Sequence, residues 1–94
     1  MSIDIPHSHP GRHLAEYLDE YGISQYHLAK SIYVSPRRVN EIVHGQRGIT
    51  VDTALRLGHY FGTSAQFWMN LQTGYDLSLA RQRTVRIFKP GSSP

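Results

Sequence analysis

The amino-acid sequence predicts an all-α domain built from five helices. Serine or threonine stands at four positions where a helix N-cap is expected, and glycine follows three of the predicted helices as a stop signal. Between these signals, apolar residues recur at spacings of three and four, which is typical of amphipathic helices. A chain of 94 residues has room for one domain.

The predicted helices follow one another with short connections. The first spans residues 10–21, because Pro10 suits the first helical position and Gly22 is a stop signal. The next four are QYHLAKSI after Ser24, PRRVNEIVHG after Ser35, VDTALRLGHYFG after Thr50 and AQFWMNLQ after Ser64. Helices this short are marginal alone in water, so they must be stabilised by packing their apolar faces together.

Helical periodicity also predicts which side chains form the core. The expected core residues are Leu14, Leu18, Leu28, Ala29, Ile32, Val39, Ile42, Val43, Ala54, Leu55, Phe61, Phe67, Trp68 and Leu71. Phe67 and Trp68 are assigned to packing rather than to a cofactor site, because their spacing is that of a buried helix face.

The C-terminal part of the chain is less regular. Thr73 and Gly74 lower the helix propensity before YDLSLARQR resumes a helical pattern, and TVRIF at residues 84–88 alternates as a short strand would. We therefore expect one domain over residues 1–80 and a basic tail over residues 81–94.

Composition excludes several classes of protein. There is no cysteine, which removes a disulfide scaffold, thiol catalysis and cysteine zinc sites. No segment approaches the roughly 20 apolar residues of a membrane span, and the N-terminus lacks the apolar centre of a signal peptide. We expect a cytoplasmic protein without membrane contact.

Three acidic residues share a polar helix face and have no nucleophile beside them: Glu16, Asp19 and Glu20. We therefore do not expect an enzyme.

Histidines raise the question of a metal site. Imidazole is a common ligand, and His7, His9 and His13 lie close together in the sequence. Only His9 and His13 have a helical i, i+4 spacing, and Pro10 and Gly11 lie between them. We therefore expect neither a metal nor another cofactor.

Positive charge is concentrated in residues 25–48 and 77–94, although the net charge of the chain is only +3. The cations are Lys30, Arg37, Arg38 and Arg47 in the first zone and Arg81, Arg83, Arg86 and Lys89 in the second. Glu41 is the acidic residue of the first zone. Arginine, which predominates, suits both phosphate and guanine edges.

Residues 25–44, QYHLAKSIYVSPRRVNEIVH, have the spacing of a helix-turn-helix motif. Ala29 lies where two helices must approach closely, and Val39 and Ile42 direct one face of the second helix inward. The other face then carries Arg37 and Asn40, which can pair with guanine and adenine in the major groove. The sequence therefore predicts that the helix over residues 36–43 recognises DNA; the alternative is a plain helical hairpin with solvated arginines.

The nine candidate DNA-binding residues differ in the contact expected of each. Arg37, Arg38 and Asn40 are candidates for base contacts, and Gln25 and His44 for phosphate contacts; Arg47 could reach either. Ser35 begins the recognition helix, whose exposed amides favour anions, and Pro36 and Glu41 complete its outward face.

Several segments in order resemble the XRE/Cro-type helix-turn-helix family, and more closely its HigA/VapI-type antitoxin branch. They are HPGRHLAEYL, SQYHLAKSIYVSPRRVNEIVHGQRGIT, DTALRLGHYFGTSAQFWMNLQ and YDL, which together cover about residues 9–80. The resemblance implies a five-helix lambda-repressor-like domain that binds operator DNA as a homodimer and represses its own operon. It also implies a partner, a RelE/HigB-like toxin that cleaves mRNA.

Tyr33 departs from the family pattern, because it occupies the turn position that usually holds glycine, where a left-handed backbone is easiest.

Two other functions share many of the same features. One is a stand-alone XRE-type repressor without a toxin, and the other is a protein-interaction module that does not bind DNA. The basic tail could contact the DNA flanks or the toxin, or could simply remain mobile.

Overall fold

A computed structural model describes residues 8–87, with side chains described as far as residue 84. The five helices are α1 (Pro10–Tyr21), α2 (Gln25–Ile32), α3 (Pro36–Val43), α4 (Val51–Phe61) and α5 (Ala65–Ile87). The predicted all-α, five-helix class is confirmed. No described helix combines the length and the apolar character needed to cross a membrane.

Local hydrogen bonds explain where the helices begin and end. Ser24, Ser35 and Thr50 accept the backbone N–H of the residue three positions later, and Ser64 does the same for Phe67 at the start of α5. The glycines after α1 and α4, Gly22 and Gly62, adopt left-handed backbone angles. These caps confirm the predicted starts of α2 to α5, and α1 also begins at the predicted Pro10.

One N-cap was not foreseen from the sequence. His9 precedes α1, and its Nδ1 accepts a hydrogen bond from the backbone N–H of Gly11 at 2.9 Å. The ring packs edge-on against Tyr75 of α5 at 4.9 Å between centroids. Burial lowers the pKa of His9, while the nearby Asp76 carboxylate acts in the opposite direction. The start of α1 is therefore joined to α5 through one imidazole.

The helices enclose one apolar core, and Trp68 is the largest fully buried side chain in it. Of the predicted core residues, Val43, Phe67 and Leu71 are only partly buried against it. Leu55 was wrongly predicted, since it is 58% exposed. The inward face of α4 instead consists of Ala54, Leu57, Gly58 and Phe61. Leu55 follows Ala54 in the sequence and lies outside this face. The loop residue Ile49 is also buried.

The predicted strand at residues 84–88 is wrong over the described residues, because α5 continues through Ile87. Thr84 Oγ1 donates to the carbonyl of Ala80 at 2.7 Å, as a helical hydroxyl does. A single strand would leave its backbone polar groups unpaired, whereas a helix pairs them internally. Phe88 and the rest of the predicted tail, including Lys89, lie outside the described residues. The division of the chain at residue 81 stays a prediction.

Contacts with the core explain why α5 also passes through Thr73 and Gly74. Gln72 Oε1 accepts the backbone N–H of Ile49 at 2.7 Å, and Tyr75 packs against His9. Ser78 is buried one turn further on. Tertiary contacts on both sides of Gly74 outweigh its propensity cost of about 1 kcal/mol.

Candidate nucleic-acid interface

Helix α3 is placed by its apolar side and displays its polar side. Val39 and Ile42 are almost completely buried, and the helix packs against both α1 and α2. Ser35 Oγ accepts the backbone N–H of Arg38 at 3.1 Å, and Pro36 occupies the first helical position. Because the core determines the orientation of α3, the opposite face of an eight-residue helix is available to a partner.

The turn between α2 and α3 is left-handed at Tyr33, although this position holds no glycine. Tyr33 adopts a left-handed conformation, with φ 60° and ψ 45°. The backbone N–H of Val34 then donates to the carbonyl of Ala29 at 3.1 Å. From α4, Arg56 Nη1 donates to the carbonyl of Ile32 at 2.7 Å. Helix α4 thus stabilises the end of α2 and the turn that orients α3.

Two amide side chains connect the start of α2 to the exposed face of α3. Asn40 Nδ2 donates to Gln25 Oε1 at 2.9 Å, although the two residues are 15 positions apart. His44, at the end of α3, places Nδ1 2.8 Å from the carbonyl oxygen of Asn40. The orientation of Asn40 is therefore determined before any partner binds.

Glu41 contacts two arginines of the same surface. Its Oε2 accepts from Arg37 Nε at 3.1 Å, and its Oε1 accepts from Arg47 Nε at 2.9 Å. The side chain of Glu41 is 20% exposed, compared with 86% for Arg37 and 47% for Arg47. Hydrogen bonds from Arg47 and then from Arg37 lower the pKa of Glu41. Glu41 is thus ionised at neutral pH.

A second acidic residue lies at the edge of the interface. Asp52, in the first turn of α4, accepts from Arg56 Nε at 2.9 Å and lies 4.0 Å from Arg38 Nη1. A hollow of about 230 Å³ lies beside it, lined by Arg38, Arg47, Gly48, Thr50, Asp52 and Thr53. Arg38 is only partly exposed, so it is less accessible to a large partner than Arg37 is.

The structure places the nine candidate residues on three consecutive segments, and contacts link Asn40 to Gln25 and Glu41 to both Arg37 and Arg47. They lie at the first residue of α2, along α3 and its cap, and in the loop after α3. Gln25, Arg38 and Glu41 are partly buried, whereas Ser35, Pro36, Arg37, Asn40, His44 and Arg47 are exposed. Whether each contacts DNA stays a prediction.

Sequence reasoning missed two connections within this surface. The i, i+4 spacing of Arg37 and Glu41 is a signal for their ion pair, but the approach of Arg47 depends on the path of the loop. The hydrogen bond between Gln25 and Asn40 depends on how α2 and α3 cross, for which the sequence carries no direct signal.

Other candidate sites lie away from this surface. No group of three or more potential metal-binding side chains occurs among residues 8–87, and His7 lies outside the described residues. A hollow of about 290 Å³ between α2 and α4 is mainly apolar and lined by residues that include Tyr33, Leu55 and Tyr60. It shares no residue with the nine candidates.

Comparisons with known proteins agree with this architecture. The helix-turn-helix family HTH_3 matches residues 14–68. Virulence-associated protein I of Dichelobacter nodosus is 53% identical over 93 residues, which cover 96% of this chain and 86% of that protein.

Two solved structures are similar in both sequence and fold. One is an addiction module antidote protein of the HigA family from Coxiella burnetii, with 40% identity, a TM-score of 0.86 and coverage of 96% of this chain and 99% of that chain. The other is the Pseudomonas aeruginosa antitoxin HigA with the higBA promoter, with 48% identity, a TM-score of 0.85 and coverage of 93% and 96%. The chain therefore belongs to the XRE-type helix-turn-helix family, and its relatives are VapI- and HigA-type regulators and antitoxins.

Proposed function

We propose that this protein is a DNA-binding antitoxin and transcriptional repressor whose helix α3 enters the major groove of its operator. The observation that carries the proposal is the outward face of α3, where Arg37 is 86% exposed and Asn40 is already oriented by Gln25. The relative from Pseudomonas aeruginosa, whose structure includes promoter DNA, supports the same use of the fold.

The hydrogen-bonding capacity of this face suits base recognition. Asn40 uses one Nδ2 hydrogen for Gln25, which leaves the other hydrogen and Oδ1 for the N7 and N6 groups of adenine. Arg37 contacts Glu41 through Nε, so its terminal amino groups can form the paired contact with guanine O6 and N7. Gln25 at the start of α2 and His44 at the end of α3 are proposed to contact phosphates.

Binding measurements with substituted proteins test this proposal. The probe is a duplex selected by the wild-type chain from a random library, and a scrambled duplex of the same composition is the reference. Arg37→Ala and Asn40→Ala are expected to cost about 1 to 3 kcal/mol on the selected duplex and to relax the preference at one base pair. Gln25→Ala is expected to weaken binding to both duplexes through the lost phosphate contact, and to weaken binding to the selected duplex further, because Asn40 loses the acceptor that orients it.

Lys30→Ala is the matched control, because it also removes one cation from the motif. Lys30 lies five positions after Gln25, about 140° around α2, and its ammonium group is over the Tyr26 ring at 5.7 Å. It is expected to change binding little. Equal losses on both duplexes for Arg37→Ala and Asn40→Ala would contradict base recognition by α3, and a weak salt dependence would contradict phosphate contacts.

We also propose that the protein acts as a homodimer and neutralises a RelE/HigB-like toxin that cleaves mRNA. The antitoxin relatives support the toxin partner, and two recognition helices would require half-sites about 34 Å apart or a multiple of that distance. Co-expression with the adjacent reading frame, followed by a growth assay and pull-down, tests the toxin partner. Rescue of growth is expected. Operator binding without any rescue would identify a stand-alone repressor instead.

A further inference from the structure

Glu41 holds two arginines of the proposed DNA surface through its two carboxylate oxygens. Each carboxylate oxygen accepts one arginine Nε, at 3.1 Å for Arg37 and 2.9 Å for Arg47. The two arginines come from different segments, since Arg37 is in α3 and Arg47 is in the loop that follows it. One carboxylate therefore fixes the separation between two cations of the proposed DNA surface.

The contacts leave the recognition groups of both arginines available. A guanidinium has five N–H donors in a rigid plane, and each hydrogen bond to Glu41 uses the one on Nε. The terminal amino groups remain for base edges or phosphates. Because a long side chain loses conformational freedom when it binds, an arginine that is already oriented loses less.

The negative charge of Glu41 has an opposite effect on phosphate binding. Binding to random DNA depends almost entirely on cations that neutralise phosphates. Glu41 is less exposed than either arginine and is ionised at neutral pH, so it competes with phosphates for both of them. A phosphate at an unspecific site must displace this contact or be repelled by it.

We propose that Glu41 is a positioning residue that increases sequence specificity. It orients Arg37 and Arg47 for the operator through the two Nε contacts, and it withholds the same two cations from the phosphates of unspecific DNA. The proposal rests on the DNA-binding function proposed above, and it assigns Glu41 a role through the arginines rather than a base contact of its own.

Three variants separate orientation from charge. Glu41→Gln preserves the shape of the side chain and removes its charge, whereas Glu41→Asp preserves the charge and withdraws the carboxylate by one methylene. Glu20→Gln is the matched control, because Glu20 is an exposed residue of α1 and its substitution changes the net charge equally. Affinity for the selected and the scrambled duplex is measured for each variant over a series of salt concentrations.

Glu41→Gln is expected to bind the scrambled duplex about 3 to 10 times more tightly, with a logarithmic salt dependence steeper by about one to two units. The ratio of selected to scrambled affinity should fall at least about threefold, since arginine side chains that lose the Glu41 carboxylate gain phosphate contacts without gaining base contacts. Glu41→Asp should lower the same ratio while leaving the salt dependence near that of the wild type. Glu20→Gln should leave the ratio unchanged.

A measurement without DNA tests the contacts directly. The Nε–H signals of Arg37 and Arg47 in nuclear magnetic resonance spectra should exchange slowly with water in the wild type. Glu41→Gln keeps only one acceptor oxygen and no charge, so the signal of at least one of the two arginines should exchange faster, and neither signal should change in Glu20→Gln. Signals that do not respond to Glu41→Gln would overturn the proposal.

The DNA measurements distinguish this proposal from the one on which it rests. If the wild-type chain binds DNA and Glu41→Gln has the same ratio of selected to scrambled affinity, only the role of Glu41 is overturned. If the wild-type chain bound neither duplex, the proposed DNA-binding function would fail, and the role of Glu41 would fail with it.

Discussion

Gly11→Ala is expected to be among the most damaging single-methyl additions to this fold. A Cβ atom at Gly11 would lie 1.7 Å from the carbonyl oxygen of Ile42 and 2.7 Å from its carbonyl carbon. Ordinary contacts to a Cβ begin at 3.4 Å, so α1 and α3 would have to separate by about 1.5 Å or more. Both obstructing atoms belong to the backbone and cannot move aside by rotation of a side chain.

The expected magnitude follows from the cost of overpacking. Forcing an extra group into a well-packed core costs about 1 to 3 kcal/mol, and sometimes more. The better helix propensity of alanine offsets at most about 1 kcal/mol. Because the clash is with backbone atoms, the upper end of that range applies, and we expect a net loss of about 2 to 3 kcal/mol. Such a loss would lower the melting temperature of a domain of this size by about 8 to 24 °C.

Two other glycines provide matched controls for the same substitution. At Gly58 a Cβ would meet backbone atoms at 2.9 to 3.0 Å, and at Gly48 it would meet only the side chain of Gln72, at 3.1 to 3.2 Å. The loss of stability should therefore decrease from Gly11→Ala through Gly58→Ala to Gly48→Ala. Urea unfolding followed by circular dichroism measures all three, and failure of Gly11→Ala to fold would agree with the expected order.

A value for Gly11→Ala within about 0.5 kcal/mol of the wild type would refute this reasoning, since surface substitutions commonly fall in that range. A loss at Gly48 as large as that at Gly11 would also refute it. In that case the loss of stability would come from replacing glycine as such, rather than from the close approach of α1 to α3.

Two further predictions concern other special positions. Tyr33→Gly should stabilise the protein by about 0.5 to 1 kcal/mol, because glycine adopts the left-handed conformation of this residue without strain and the Tyr33 side chain, which is 86% exposed, contributes little packing. A variant that is less stable in thermal unfolding would contradict this. Lowering the pH should weaken the fold through His9, because protonated Nδ1 cannot accept the Gly11 N–H. Its pKa is lowered from the ordinary value of 6.5, so this stability is complete above 6.5 and is lost as the pH falls from there toward the folded value. Urea unfolding over a pH series should show a smaller decrease for His9→Ser, which retains a capping oxygen; identical pH profiles would exclude the role of His9.

The sequence alone determined the features that depend on neighbours within one helical turn. A capping hydroxyl such as that of Ser35 bonds the backbone three residues later, and glycines such as Gly22 and Gly62 relieve the left-handed conformation after a helix. Apolar spacing placed Val39 and Ile42 inward, which turned Arg37 and Asn40 outward. For this reason, the five helices and the exposed face of α3 could be predicted from the sequence.

Tertiary structure decided whatever depends on which surfaces meet. Residues 84–87 are helical although TVRIF alternates as a strand would, because the described residues contain no strand to pair with them and a helix pairs its backbone groups internally. Leu55 is exposed and Leu57 is buried because the contact of α4 with the core determines the rotation of the helix. The close approach of α1 to α3 at Gly11 and the contact of Glu41 with Arg47 of the following loop likewise depend on distances that helical spacing does not encode. Local sequence limits each backbone to a few conformations, but packing between distant segments selects which side chains lie side by side.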